Sequence, residues 1–170
     1  GSAIDRFREL SSEDKAFFER YPARTLQEPR NSPWGEVQTC RVIADGIYEV
    51  STAGHGGIMI STELASHILS PEALRKGVCE GGYYCYEEDC DACIPLRELY
   101  DKGILKQNNG YFAHYLVKSE NPESKNGKIP FAKATETEKT DFIQWWNKTI
   151  DESLAGWNGE YWRAHEHGEA

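Results

Sequence analysis

The sequence predicts an α+β fold: a small, mostly antiparallel sheet with helices packed on one side. Three observations predict it. Val37–Ile43 and Gly46–Ser51 are short β-prone runs joined at Asp45-Gly46, a strong hairpin signal. Two further β-prone runs follow, Gly57–Ile60 and the aromatic Gly81–Tyr86, the second entered through a double glycine. Finally, Thr135-Glu136-Thr137-Glu138 is a capping-box pattern, and apolar residues recur behind it at helical spacing.

Taken in order, Ser11-Ser12-Glu13-Asp14 caps a short helix running to about Tyr21. Pro22, Pro29 and Pro33 then keep the chain extended or turning as far as Trp34-Gly35. Residues 1–33 therefore read as a helix and an arm laid over one domain, residues 34–170. After the hairpin and the third strand, Ser61-Thr62-Glu63 opens a helix through Leu69, and Pro71 starts another turn. From Asp89 or Asp91 the chain turns helical to about Lys102, with Pro95 in or before the first turn and Gly103 as the stop. Tyr111–Lys118 is the expected fifth strand, and Ser119–Lys128, with Pro122 and Asn126-Gly127, an exposed loop. The last helix carries Phe142, Trp145, Trp146, Ile150 and Leu154 on one face and ends at Gly156. Its tail, Trp157, Tyr161 and Trp162, packs back before fraying at His165–Ala170.

Composition bounds the function. A chain of 170 residues builds one core without disulfide or metal staples. Gly1-Ser2 resembles a cleaved tag, so the chain can be a domain of a longer protein. No apolar run approaches ~18 residues and no signal-like segment is visible, so a cytoplasmic protein without membrane contact is expected. The net charge of −9, with no Lys/Arg cluster to offset it, argues against direct binding to nucleic acid. It serves solubility first, and it also suits a protein partner with a basic patch.

Two segments hold the candidate chemistry. Ser51-Thr52-Ala53-Gly54-His55-Gly56-Gly57 places an imidazole at a strand-to-strand corner, where glycines let a ligand approach the ring. An exposed histidine in a glycine-rich turn fits the same string. Tyr86-Glu87-Glu88-Asp89-Cys90 sets three carboxylates at a strand end. Acids there complement a helix dipole, or else one of them turns inward as a general base or metal ligand. Strand alternation sends Glu87 and Glu88 to opposite sides, so at most one meets His55. The catalytic candidates are His55, Glu87, Glu88, Asp89 and Cys90. Ser51, Thr52, Gly54, Gly56, Gly57 and Tyr86 are the candidate binding residues.

A nucleophilic Cys90 activated by His55 has to overcome Glu87, Glu88, Asp89 and Asp91, each of which disfavours a thiolate. No cofactor is expected. Were zinc bound, Cys79, Cys85, Cys90 and Cys93 would form its set, although a single C-x-x-C is present where zinc ribbons carry two. The odd count of five cysteines fits reduced thiols.

Trp34-Gly35, the Ser51–Gly57 string, Gly81-Gly82-Tyr83-Tyr84 and Tyr86–Cys90 together resemble an uncharacterised bacterial domain of unknown function found in phage and plasmid genomes. The resemblance spans about Trp34 to Leu105, leaving out the arm and the Trp145-Trp146 helix. It carries no activity across. It implies an accessory gene of a mobile element, one that counters or modulates host defence. The leading expectation is an acidic interaction module with a surface site at His55 and Glu87–Cys90. The alternative is a small hydrolase or transferase using His55 with Glu88 or Asp89, and conceivably Cys90.

Overall fold

In the computed structural model, the described residues are 27–105, 110–113 and 115–166. A short ribbon comes first, β1 (Asn31–Ser32) against β2 (Gly35–Glu36). The central sheet then forms from β3 (Thr39–Ala44), β4 (Ile47–Ser51), β5 (Gly56–Ser61), β6 (Val78–Glu80) and β7 (Tyr83–Glu87). Its order is β3-β4-β5-β7-β6, antiparallel at every pairing. The helices are α1 (Thr62–Ile68), α2 (Pro71–Lys76), α3 (Cys93–Asp101), α4 (Glu136–Trp157) and the single turn α5 (Gly159–Tyr161). The result is an α+β fold.

Alternation along the strands decides what lies on each face. Ile47, Ile58, Ile60 and Tyr86 point to one side, where Leu64 and Ile68 of α1, Leu99 of α3 and Ile150 and Leu154 of α4 close over them. Burying each such aliphatic side chain contributes roughly 1.5–3 kcal/mol before entropy is counted. Tyr48, Val50, Met59 and Cys85 point to the other side, where Trp34, Val37, Cys40 and Tyr83 cover them. Helices therefore pack on one face. The chain around Trp34 lies across the other, and Tyr83 ties it down by donating its hydroxyl to the Gln27 carbonyl at 2.6 Å.

Local chemistry sets the helix ends. Ser61 and Ser70 accept from the backbone N–H groups of Leu64 and Ala73, capping α1 and α2. The box at α4 is complete: Glu138 N–H donates to Thr135 Oγ1 at 3.1 Å, and Thr135 N–H to Glu138 Oε1 at 3.0 Å.

Several expectations need correction. Gly81 and Gly82 do not open a strand. Both have positive φ, 61° and 88°, and make the tight turn between β6 and β7. The β6 strand was missed because Val78-Cys79-Glu80 is too short to show alternation. The expected strand over Tyr111–Lys118 shrinks to β8 (Leu116–Lys118), which pairs with β9 (Lys128–Pro130) in a separate ribbon. Tyr111 and Phe112 are instead core aromatics, their rings 4.9 Å apart. The expected Ser119–Lys128 loop is the connection of that ribbon as far as Gly127, and Lys128 already belongs to β9. Gly156 does not end α4, which runs to Trp157 and stops at Asn158. Trp145 does not share the buried face: it is 58% exposed, whereas Trp146 is buried. Successive helical residues are about 100° apart, so one tryptophan had to leave the core. The helix expected before Tyr21 and the last residues of the tail, 167–170, lie outside the described residues.

Candidate functional site

The connection from β4 to β5 is a closed four-residue corner. Thr52 N–H donates to the His55 carbonyl at 2.7 Å, and the Thr52 hydroxyl donates to the same carbonyl at 3.1 Å. In return, His55 N–H donates to Thr52 Oγ1, also at 3.1 Å. The residue is held at its backbone, and its side chain is 59% exposed. Next to it, β7 pairs with β5 and ends at Glu87, opposite Gly57.

That register brings the two predicted segments together. His55 Nδ1 lies 3.2 Å from Glu87 Oε2. The other carboxylate oxygen, Oε1, accepts from the Asp89 backbone N–H at 2.8 Å and from the Cys90 thiol at 3.5 Å. The Glu87 carbonyl anchors the following turn by accepting from the N–H groups of Asp91 and Ala92, both at 2.9 Å. Burial acts to raise the Glu87 carboxyl pKa, but the donors from Asp89, His55 and Cys90 outweigh it and hold the group below its ordinary value. Glu87 is thus an oriented carboxylate, 18% exposed, with one oxygen wired to the backbone and one turned to the histidine.

Each remaining candidate has a definite place. Glu88 takes the opposite side of the strand and lies over Gly56, whose added Cβ would come within 3.1 Å of its carboxylate. The carboxylate beside His55 is therefore Glu87, not Glu88. Asp89 is exposed and shares the cluster: His55, Glu87 and Asp89 each offer a ligating atom, all within 4.8 Å of one another. Cys90 meets His55 only through Glu87. Burial, with Asp91 and Glu87 adding to it, pushes its thiol up to about 11, which favours the protonated donor over a thiolate.

Among the binding candidates, Thr52 builds the corner and Ser51 hydrogen-bonds Thr39 across the sheet. Gly54 is exposed with open space around it. Gly56 and Gly57 are closed in: a Cβ on Gly57 would fall 2.1 Å from the Tyr86 carbonyl and 2.6 Å from Trp34. They serve close packing, not ligand access. Tyr86 is fully buried and donates to the Ala73 carbonyl at 2.6 Å, which removes it from the binding residues.

The four cysteines proposed for zinc do not converge. Cys85 packs on the Trp34 face of the sheet, Cys93 on the helical face, and Cys79 is exposed on the edge strand. Burial pushes the Cys85 thiol up to about 12 and that of Cys93 to about 11, as expected of packed thiols. All five cysteines are free.

A second feature involves none of the candidate residues. Tyr115, Leu116 and Val117 on one wall and Phe142 and Trp145 on the other line a groove of about 520 Å³, rimmed by Lys118, Lys128, Glu138 and Asp141. Leu116 is 59% exposed. The available signal was the adjacent pair Trp145-Trp146, which cannot both face one core.

The family described as Domain of unknown function (DUF7007) matches residues 27–170. The chain belongs to this family. The DUF7007 match runs well beyond the Trp34–Leu105 span of the string resemblance and takes in the whole of α4 with Trp145 and Trp146. It also contains the His55–Glu87 corner and all five cysteines, Cys79, Cys85 and Cys93 among them. No curated protein and no solved structure matches the chain. Among the described residues, no helix is long and apolar enough to cross a membrane.

Proposed function

We propose that this DUF7007 domain is an acidic protein-interaction module, and that the groove between β8 and α4 receives its partner. The observation that carries this reading is the pair of large apolar side chains left in water on opposite walls, Leu116 and Trp145. Apolar surface kept exposed inside a concave, polar-rimmed site is the usual mark of an interface. The partner in this reading is a segment with one aromatic or aliphatic anchor flanked by Lys or Arg. The rim itself is balanced, Lys118 and Lys128 against Glu138 and Asp141, so it is the net charge of −9 that steers the approach. The cytoplasmic, phage- or plasmid-borne setting and a role in modulating host defence belong to the same proposal, supported by the string resemblance alone.

A displayed peptide library selected against the full chain tests it. Enriched peptides should carry an apolar anchor with basic flanks. Leu116→Ser and Trp145→Ser should each weaken a synthetic representative at least about ten-fold, and rising salt should weaken it further. Peptides that bind both variants as well as the wild type would remove the groove from the reading. Turnover of an ester, nucleotide or phosphodiester that His55→Ala abolishes would replace it with the hydrolase or transferase reading.

A further inference from the structure

We infer that His55, Glu87 and Asp89 form a binding site for one divalent transition-metal ion at the corner of the central sheet. The three side chains come from the β4–β5 corner and from the end of β7 with the turn after it, which the β5–β7 pairing holds side by side. His55 Nδ1 and Glu87 Oε2, at 3.2 Å, already stand at the separation of two neighbouring ligands around one ion. For metal–ligand bonds of about 2.0–2.2 Å, no two ligand atoms lie farther apart than roughly 4.4 Å. The 4.8 Å limit on the three atoms therefore asks only a small rotation, which the exposed side chains of His55 and Asp89 can make.

The donor set selects the ion. One imidazole with two carboxylates favours zinc, manganese, iron(II) or cobalt(II) over magnesium and calcium, which prefer all-oxygen shells. The Asp89 backbone N–H and the Cys90 thiol occupy Glu87 Oε1 and so orient Oε2, the kind of outer support that metal ligands carry. Three protein ligands leave the solvent side of the ion open to water or to a further ligand. With an ion bound through Nδ1, His55 is a ligand, and its ring is not the general base of the hydrolase alternative. This site is independent of the groove, and either can fail without the other.

Cobalt(II) titration of the reduced full chain, followed by visible and near-ultraviolet absorption, tests the inference. Binding should saturate at one ion per chain, with ligand-field bands and no sulfur-to-cobalt charge-transfer band. Excess magnesium should not displace the ion. His55→Ala and Glu87→Gln should each weaken binding at least about ten-fold, while Glu88→Gln, on the other side of the strand, should leave it within about two-fold. Asp89→Asn, at an exposed position, repeats the test should either of the first two variants fail to fold. No saturable binding up to about 1 mM, binding undiminished in the ligand variants, or a sulfur charge-transfer band showing that cysteines hold the ion, would each overturn the assignment.

Discussion

Glu87 and Glu98 stand on either side of the turn that opens α3, and their surroundings differ in every respect that matters to function. Glu98 is buried. Its Oε1 accepts from Ser70 N–H at 2.8 Å, and its Oε2 accepts from the Ser70 and Tyr161 hydroxyls, both at 2.6 Å. Through these donors it joins α2, α3 and the chain after α4. Glu87 sits at the sheet corner with one oxygen held and the other turned toward an exposed histidine. A buried carboxylate is tolerated when protein donors satisfy it, and a saturated one has little left for a ligand. One carboxylate belongs to the architecture and the other is available to a ligand.

The largest expected effect tests the interior half of that contrast. Glu98→Ala removes the acceptor that the Ser70 N–H, the Ser70 hydroxyl and the Tyr161 hydroxyl share. The cost should be about 3–4 kcal/mol, read as a lower urea midpoint. Tyr161→Phe removes one of the three bonds and should cost a fraction of that. A Glu98→Ala protein as stable as the wild type would mean that the buried network carries no weight, and the contrast with Glu87 would collapse.

The next effect lies in the backbone of the corner itself. Gly57→Ala forces a methyl to 2.1 Å from the Tyr86 carbonyl, so β5 and β7 must separate just where they align His55 with Glu87. A loss of roughly 2–3 kcal/mol is expected. Gly54→Ala meets open space and should stay within about 0.5 kcal/mol. Thermal melts of the pair sharpen the comparison: equal effects would show that the glycines of this string act alike, against their different surroundings.

The unequal legibility of the two regions has a physical cause. That the His55 corner meets the acidic end of the Glu87–Cys90 strand was readable because both lie at ends of strands, and strand alternation, a purely local rule, sends Glu87 and Glu88 to opposite sides. The choice of Glu87 over Glu88 was not readable, since it depends on the β5–β7 register that pairs Gly57 with Glu87. Nothing in Leu96-Arg97-Glu98-Leu99 announces that both charged residues are buried. Apart from Asp101, one turn from Arg97, the partners named for them, Asn147 and Asp151 for Arg97, Ser70 and Tyr161 for Glu98, come from distant parts of the chain. The burial of Tyr86 is illegible for the same reason: its hydroxyl finds Ala73, on a helix that pattern alone cannot place beside it. The groove escaped because its walls come from a ribbon and a helix that are adjacent only in the folded chain.

The smallest expected effect concerns Glu87 and acid. Its carboxyl is held below the ordinary value because the Asp89, His55 and Cys90 donors together exceed the opposing effect of burial. A carboxylate with a depressed folded-state pKa contributes stability that is present above its unfolded value and is lost as pH falls through the folded one. The contribution should therefore persist at neutral pH and vanish only at the acidic end of the carboxylate range. Because the group is near the surface, Glu87→Gln and His55→Ala should each change stability by no more than about 1 kcal/mol at neutral pH. Following the Glu87 side-chain carbonyl by carbon NMR gives the direct reading. Its midpoint should lie below that of an ordinary glutamate. In His55→Ala it should rise without reaching the ordinary value, because the Asp89 N–H still donates to Oε1. A wild-type midpoint at or above the ordinary value would mean that burial dominates at the corner. Glu87 would then resemble a poorly satisfied interior carboxylate, the opposite of the open, oriented group that sets it apart from Glu98.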